Sequence, residues 1–263
     1  MKKLTIFLAL LAVCIQAVAG GKYDPDDKKI FNHLAVGVNG GTAGIGIDVA
    51  APVCRWVQVR AGYNFPTIKM NTELEVSDYY DIPSDLIDTY SIPDEFDVTG
   101  KLNFGSGKLL FDIHPFKKLP IFVCVGAYFG DSDFVTVSNK DSGALMGIAE
   151  FNKVAASYDL DKIGLEFDDY ILEPDSAGNI KAAVKVKGFR PYVGLGTGWA
   201  VPNGRVGFMF EAGVQCWGSP KVTCNGDELT ASIVGDDGGE IIEIVNSLTV
   251  WPVINFRISV KLF

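Results

Sequence analysis

The 263 residues carry 32 acidic against 23 basic side chains, and the resulting net charge of −9 disfavours nucleic acid and bare anionic headgroups as partners. Mean hydropathy is +0.21, yet beyond the N-terminal leader no apolar run reaches the eighteen residues that a bilayer-spanning helix needs. Apolar residues spread in short stretches, rather than gathered in blocks, suit strands.

The leader comes first. Lys2 and Lys3 form a basic start, Leu4 to Val13 an apolar stretch and Ala17-Val18-Ala19 a small-x-small cleavage signal. Residues 1–19 therefore read as a secretory signal peptide and 20–263 as one exported domain beginning at Gly20. Leu11-Ala12-Val13-Cys14 read as a lipobox would lipidate Cys14, but Val13 fits that motif poorly.

Strand candidates follow with period two. Phe31–Asn39, ahead of Gly40-Gly41, is the first choice for a strand that the alternation leaves unresolved, and Thr42–Ala50 comes next. Val57–Phe65 sets Val57, Val59, Ala61, Tyr63 and Phe65 against Gln58, Arg60, Gly62 and Asn64. Lys108–His114 sets Leu109, Phe111 and Ile113 against Lys108, Leu110, Asp112 and His114, and Ile121–Gly130 follows. Phe189–Trp199 opposes Phe189, Val193, Leu195 and Trp199 to Arg190, Tyr192 and three glycines. Arg205–Trp217 and Leu248–Phe263 close the series, the last with Ile254, Phe256, Ile258, Val260 and Leu262 against Asn255, Arg257, Ser259 and Lys261.

Seven strands are clear, and single-chain bacterial barrels use even numbers, so the pattern predicts an all-β, antiparallel, up-and-down transmembrane β-barrel of eight strands. Asp133–Ser138 and Ile180–Lys187 are alternative sources of the eighth strand, or ladder extensions above a membrane.

Connections sort into two lengths. Ala51–Arg55, Pro115–Leu119 and Val201–Gly204 are short turns, expected on the periplasmic side, whereas Met70–Val98, Asp131–Lys187 and Cys224–Ser247 are long, expected outside. The acids follow the long ones: nine between residues 73 and 97, seven between 159 and 175, six between 227 and 243. Acidic extracellular loops of this kind suit divalent cations or a basic partner. Asp159-Leu160-Asp161-Lys162-Ile163-Gly164 only superficially resembles an EF-hand start, because Ile163 stands at a ligand position and no glutamate closes it. Ile241, Ile242, Val245 and Leu248 have helical spacing and predict a short amphipathic helix over the barrel mouth.

An eight-stranded barrel has an interior that side chains can fill. The inward faces supply Asp48, Gln58, Arg60, Asn64, Lys108, Asp112, His114, Arg190, Tyr192, Glu211, Gln215, Asn255, Arg257 and Lys261, an expected interlocked polar plug whose charges must pair or stay wet. Inward glycines leave room for the long arginines. Of the cysteines left after cleavage, Cys124 and Cys216 lie in apolar runs and serve as small hydrophobes; a disulfide, were one formed, would join Cys216 to Cys224.

No catalytic set, metal spacing or cofactor motif emerges. The two histidines, His33 and His114, lack a serine and carboxylate placed as a nucleophile set, Gly194-Leu195-Gly196-Thr197-Gly198 lies inside a strand with no helix after it, and Gly105-Ser106-Gly107-Lys108 is too short for a phosphate loop.

Gly41-Thr42-Ala43-Gly44-Ile45-Gly46, Val59-Arg60-Ala61-Gly62-Tyr63-Asn64, Asp112-Ile113-His114-Pro115-Phe116, Pro191-Tyr192-Val193-Gly194-Leu195-Gly196 and Gly218-Ser219-Pro220-Lys221-Val222 together resemble the recurring segments of small Gram-negative outer-membrane barrels, OmpA-like or "porin family" proteins. The resemblance covers most of the mature chain. It implies an outer-membrane location, with outer-membrane lipid, lipopolysaccharide and the barrel-assembly machinery as partners, and it supplies no catalytic residues. One departure is that Phe263 falls in phase with Lys261, Ser259 and Arg257 rather than with the apolar set. Trp199, Trp217, Trp251, Tyr63 and Tyr128 suit interfacial girdles.

The sequence thus leads to an outer-membrane barrel with a plugged interior, in an envelope-structural or surface-interaction role. Its rivals are a narrow channel, an exported soluble ligand-binding barrel and a lipid-modifying enzyme.

Overall fold

A computed structural model of the chain describes residues 31–65, 67–76, 82–116, 119–167, 170–229, 245 and 247–263. The signal peptide and Ile241 and Ile242 of the predicted amphipathic helix lie outside them.

The described residues open with three hairpin-linked strands, β1 (Ala35–Gly41), β2 (Gly44–Cys54) and β3 (Val57–Phe65). It continues as β4 (Thr67–Glu75), helix α1 (Ser84–Tyr90) and β5 (Glu95–Asn103), then returns as β6 (Ser106–Ile113) and β7 (Ile121–Gly130). A second excursion contains β8 (Asp133–Asn139), helix α2 (Met146–Phe151), a 3₁₀ turn at Ala155–Tyr158, β9 (Leu165–Phe167), β10 (Tyr170–Leu172) and β11 (Lys181–Lys185). The return is β12 (Phe189–Thr197) and β13 (Val206–Cys216); after β14 (Lys221–Cys224) and β15 (Asp227–Glu228), β16 (Val250–Lys261) ends the fold.

Eight of these strands form a closed antiparallel barrel in the order β1-β16-β13-β12-β7-β6-β3-β2. Successive barrel strands are neighbours round the ring, and β1 closes it by pairing Ala35 to Lys261 and Gly41 to Asn255. The eighth strand is therefore β1, the first choice from sequence. Alternation holds round the wall. Ile45, Ile47, Phe65, Leu109, Leu195, Phe208, Ile254 and Phe256 are exposed on the outer face, while Asn39, Asp48, Arg60, Lys108, Asp112, Glu211 and Arg257 are buried within. The period-two pattern divides each strand between two environments, and closure removes every edge that would expose unpaired amides.

Prolines mark where the ladder is incomplete. Pro191 sits one residue before the first β12–β13 pair, Tyr192 with Gln215, and Pro252 sits where β16 has run past the end of β1. Neither needs to donate a ladder bond on that side.

Among the described residues, the connections Met70–Val98 and Asp131–Lys187 carry strands and helices. Strands β3, β6, β7, β12 and β13 continue beyond the barrel into a six-stranded sheet, β15-β14-β11-β8-β5-β4. Asp133–Ser138 and Ile180–Lys187 are thus ladder extensions. One face of this sheet, through Phe96, Val98, Val137, Ala182, Val222 and Cys224, covers a core completed by Leu86, Leu145, Ile148, Phe151 and Ile163 from the helical segments. That apolar cluster is large enough to order segments whose acidity and length read as solvated loops.

The four described cysteines are free thiols. Cys216 is exposed on the outer face of β13 and Cys224 is buried in the upper core, so the Cys216–Cys224 disulfide is not formed. Phe263 is exposed although its phase points inward, because β16 ends at Lys261 and the chain leaves the alternation there.

Candidate functional site: the barrel lumen

Three cations and three carboxylates meet inside the wall. Arg60 on β3 places Nη2 2.7 Å from Asp112 Oδ1 on the adjacent β6 and 2.7 Å from Glu211 Oε2 on β13. It also donates to Cys124 Sγ at 3.3 Å. Arg257 on β16 donates from Nε and Nη2 to Asp48 Oδ1 at 2.8 and 2.6 Å. Lys108 on β6 lies 3.3 Å from the other oxygen of Asp48 and donates to Asn39. All six charged groups are buried and the set is electrically balanced, which offsets the large cost of taking ions out of water.

Glycine makes the space. A Cβ at Gly37 would lie 2.4 Å from Arg257 Nε, and one at Gly194 2.4 Å from the Tyr192 hydroxyl oxygen, so β1 and β12 accommodate these long side chains only without side chains of their own. Tyr192 meets Tyr128 edge to face at 5.5 Å, and Leu110, Phe122 and Met209 fill the gaps between charges.

Both ends are closed. At the short-turn end the β12–β13 connection folds into the barrel: Ala200 and Val201 are fully buried, Ala200 O accepts from Arg257 Nη1 at 2.9 Å and Val201 N donates to Gln58 Oε1 at 2.9 Å. Beside it Trp199 stacks on His114 at 4.1 Å and 10°, and His114 Nε2 lies 3.2 Å from Gly198 O. At the opposite mouth Trp217 and Trp251 stack at 4.6 Å and 3°, with Phe134 packed on both. Trp217 Nε1 donates to Gln215 Oε1 at 3.3 Å.

Most residues expected inside are there, with different duties. Asp48, Arg60, Lys108, Asp112, Glu211 and Arg257 form the ionic centre, and Asn64, bonded to Ala43 O at 3.0 Å, lies below the Trp mouth. Gln58, Gln215 and His114 hold the two closures, and Asn255 and Tyr192 are buried between them. Arg190 belongs to the rim, donating to the carbonyls of Lys187 and Asp131 at 3.0 and 2.7 Å. Lys261 is half-buried at the other rim, near Asn203 O at 3.4 Å, outside the ionic centre.

Four girdle expectations need correction. Tyr128, Trp199, Trp217 and Trp251 all point away from the outer surface, and of the five aromatics only Tyr63 is exposed there. Tyr128, Trp217 and Trp251 share phase with inward neighbours, as with Trp251, Val253, Asn255 and Arg257, so the alternation already contained the answer. Trp199 lies past the end of β12, where alternation no longer applies. The Cys124, Asn39 and Phe122 contributions were not foreseen, because β1 and β7 carry few polar residues to mark their inward faces.

Among the described residues no group of His, Cys, Asp and Glu side chains is placed to hold a metal ion. Each of the six lumen charges lies within ion-pair distance of an oppositely charged member of the set.

No family model matches the chain, and no curated protein matches it. Among solved structures, Acinetobacter baumannii CarO2 is similar at 17% identity and TM-score 0.46, over 87% of this chain and 98% of that one. Acinetobacter baumannii CarO gives 16% and 0.45 over 89% and 99%. A major outer membrane protein from Thermus thermophilus gives 12% and 0.33 over 87% and 98%.

Proposed function

We propose that this chain is an integral outer-membrane β-barrel of a Gram-negative bacterium, exported by a cleaved signal peptide, with a closed lumen and a role in envelope structure or surface interaction rather than catalysis. The observation that carries it is the pairing of a closed wall whose whole outer face is apolar with an interior that is charged. A water-soluble barrel inverts that arrangement, because a continuous exposed band of Phe, Ile and Leu in water drives aggregation.

The closed lumen rests on three stacked barriers: the inward turn at Ala200 and Val201, the Arg60 and Arg257 ion pairs, and the paired tryptophans. The six-stranded sheet beyond one end of the barrel favours surface interaction over a purely mechanical part.

The test is cell fractionation with carbonate extraction, followed by gel migration of boiled and unboiled protein and planar-bilayer recording. Retention in the membrane, a heat-dependent shift in mobility and no unitary conductance are expected. Folded protein in a detergent-free periplasmic extract overturns the membrane assignment, and stable conductance steps overturn the closed lumen.

A further inference from the structure

The solvent face of the upper sheet continues the lipid-facing side of the wall. Along β3 into β4 the outward series Tyr63 and Phe65 runs on to Lys69, Asn71 and Glu73, and along β12 back into β11 Phe189 runs on to Lys187 and Lys185. The opposite face of the same sheet is the one packed on the upper core. At 3.3–3.4 Å per residue, these lysines stand roughly 7 to 13 Å beyond Phe65 and Phe189.

Their arrangement costs energy in the isolated protein. Lys69 is the direct cross-strand partner of Lys101, and Lys185 that of Lys221, two like-charged pairs on one face of a chain whose net charge is −9. Lys221 is relieved by Glu228 at 2.6 Å and Lys181 by Asp133 at 3.0 Å. Among the described residues no carboxylate comes within ion-pair distance of Lys69, Lys101, Lys185 or Lys187. Thr99, Thr136, Ser138 and Thr223 occupy the positions between the lysines, and Lys185 and Thr223 border an open hollow of about 360 Å³. The acids on or near this face are Glu73, Glu75, Glu95 and Asp97 at the far end of β4 and β5, with Asp131, Asp133, Asp175 and Glu228; they are in part engaged, Asp131 with Asn103, Asp97 with Lys140 and Asp175 with backbone amides.

We infer that Lys69, Lys101, Lys185 and Lys187 form a binding surface for the phosphate groups of the outer-leaflet glycolipid, lipopolysaccharide, seated directly above the lipid-facing band. Charge complementarity selects a polyanion, continuity with the apolar wall places that polyanion at the membrane surface, and the hydroxyl rows match a sugar carrier. The inference rests on the outer-membrane reading.

The test refolds the mature chain into phosphatidylcholine vesicles and titrates it with purified lipopolysaccharide and with the same material after phosphate removal. The triple variant K101Q/K185Q/K187Q is expected to bind lipopolysaccharide at least about tenfold more weakly than the parent while keeping the heat-dependent gel shift. Dephosphorylated lipopolysaccharide should bind the parent as weakly, and Lys140→Gln, an ion-paired lysine higher on the same sheet face, should bind like the parent. Equal binding by the triple variant, indifference to phosphate removal, or an equal loss in Lys140→Gln overturns the inference. Failure of the parent to fold into vesicles at all is a different result, and sinks the membrane assignment instead.

Discussion

Arg60 on β3 and Glu211 on β13 form a 2.7 Å ion pair across the full diameter of the barrel, their strands lying four places apart in either direction round the ring of eight. With Asp112 on β6 the same guanidinium ties three strands together. A contact of this kind acts as an internal strut, and it forms only once the wall has closed.

Removing Arg60 leaves two carboxylates buried without their cation. Arg60→Met is expected to destabilise the barrel by about 3–5 kcal/mol. Replacing Arg60, Asp112 and Glu211 together by apolar residues of similar size should cost much less. Equilibrium unfolding by urea from lipid vesicles measures both, and equal losses would show that the ion pairs are not the reason.

Gly37 is where Arg257 lies flat on β1. Gly37→Val should push that guanidinium off Asp48 and cost about 1–3 kcal/mol through overpacking, read by the same unfolding experiment. Gly204, where an added Cβ would meet nothing closer than 3.9 Å, is the matched position at which Gly→Ala should leave stability close to the parent's.

The three barriers in the lumen act in series. Trp217→Ala combined with Trp251→Ala opens the upper mouth but leaves the ion pairs and the Ala200–Val201 turn in place, so planar-bilayer recordings should stay silent. Conductance in that double variant would mean that the tryptophans alone close the barrel.

Cys224 lies in the upper core, outside the barrel wall, and burial, with a smaller contribution from Asp227, pushes its thiol from 9.0 up to about 11. A raised acid is held in its protonated, unreactive form, so at pH 8 alkylation of Cys224 in the folded chain should be slow. The rate should climb as pH approaches 11 and become fast at pH 8 once the upper sheet is unfolded. Mass-spectrometric footprinting with iodoacetamide, site by site, checks this; rapid native labelling at pH 8 would contradict the burial.

Much of the wall was legible in the chain itself. The alternation in β2, β3, β6, β13 and β16 places all six members of the ionic centre inside. For Trp217 and Trp251 the expectation that aromatics near strand ends sit in girdles ran against the phase, and the phase placed them inside. The acidic excursions misled for another reason: charged surface positions dominate their composition, whereas the core that orders them is assembled from Phe96, Ile148, Phe151 and Val222, far apart in sequence.

By itself the sequence determined which side of each strand is apolar, and with it the barrel, because a period of two is a local property that survives without knowledge of neighbours. Only the tertiary structure decided what fills and shuts that barrel: Arg60 with Glu211, Arg257 with Ala200, Trp217 with Trp251. Those partners come from strands or turns that meet only when the ring closes, and the cost of burying a charge or an unpaired amide is settled by whichever group the closed geometry brings within reach.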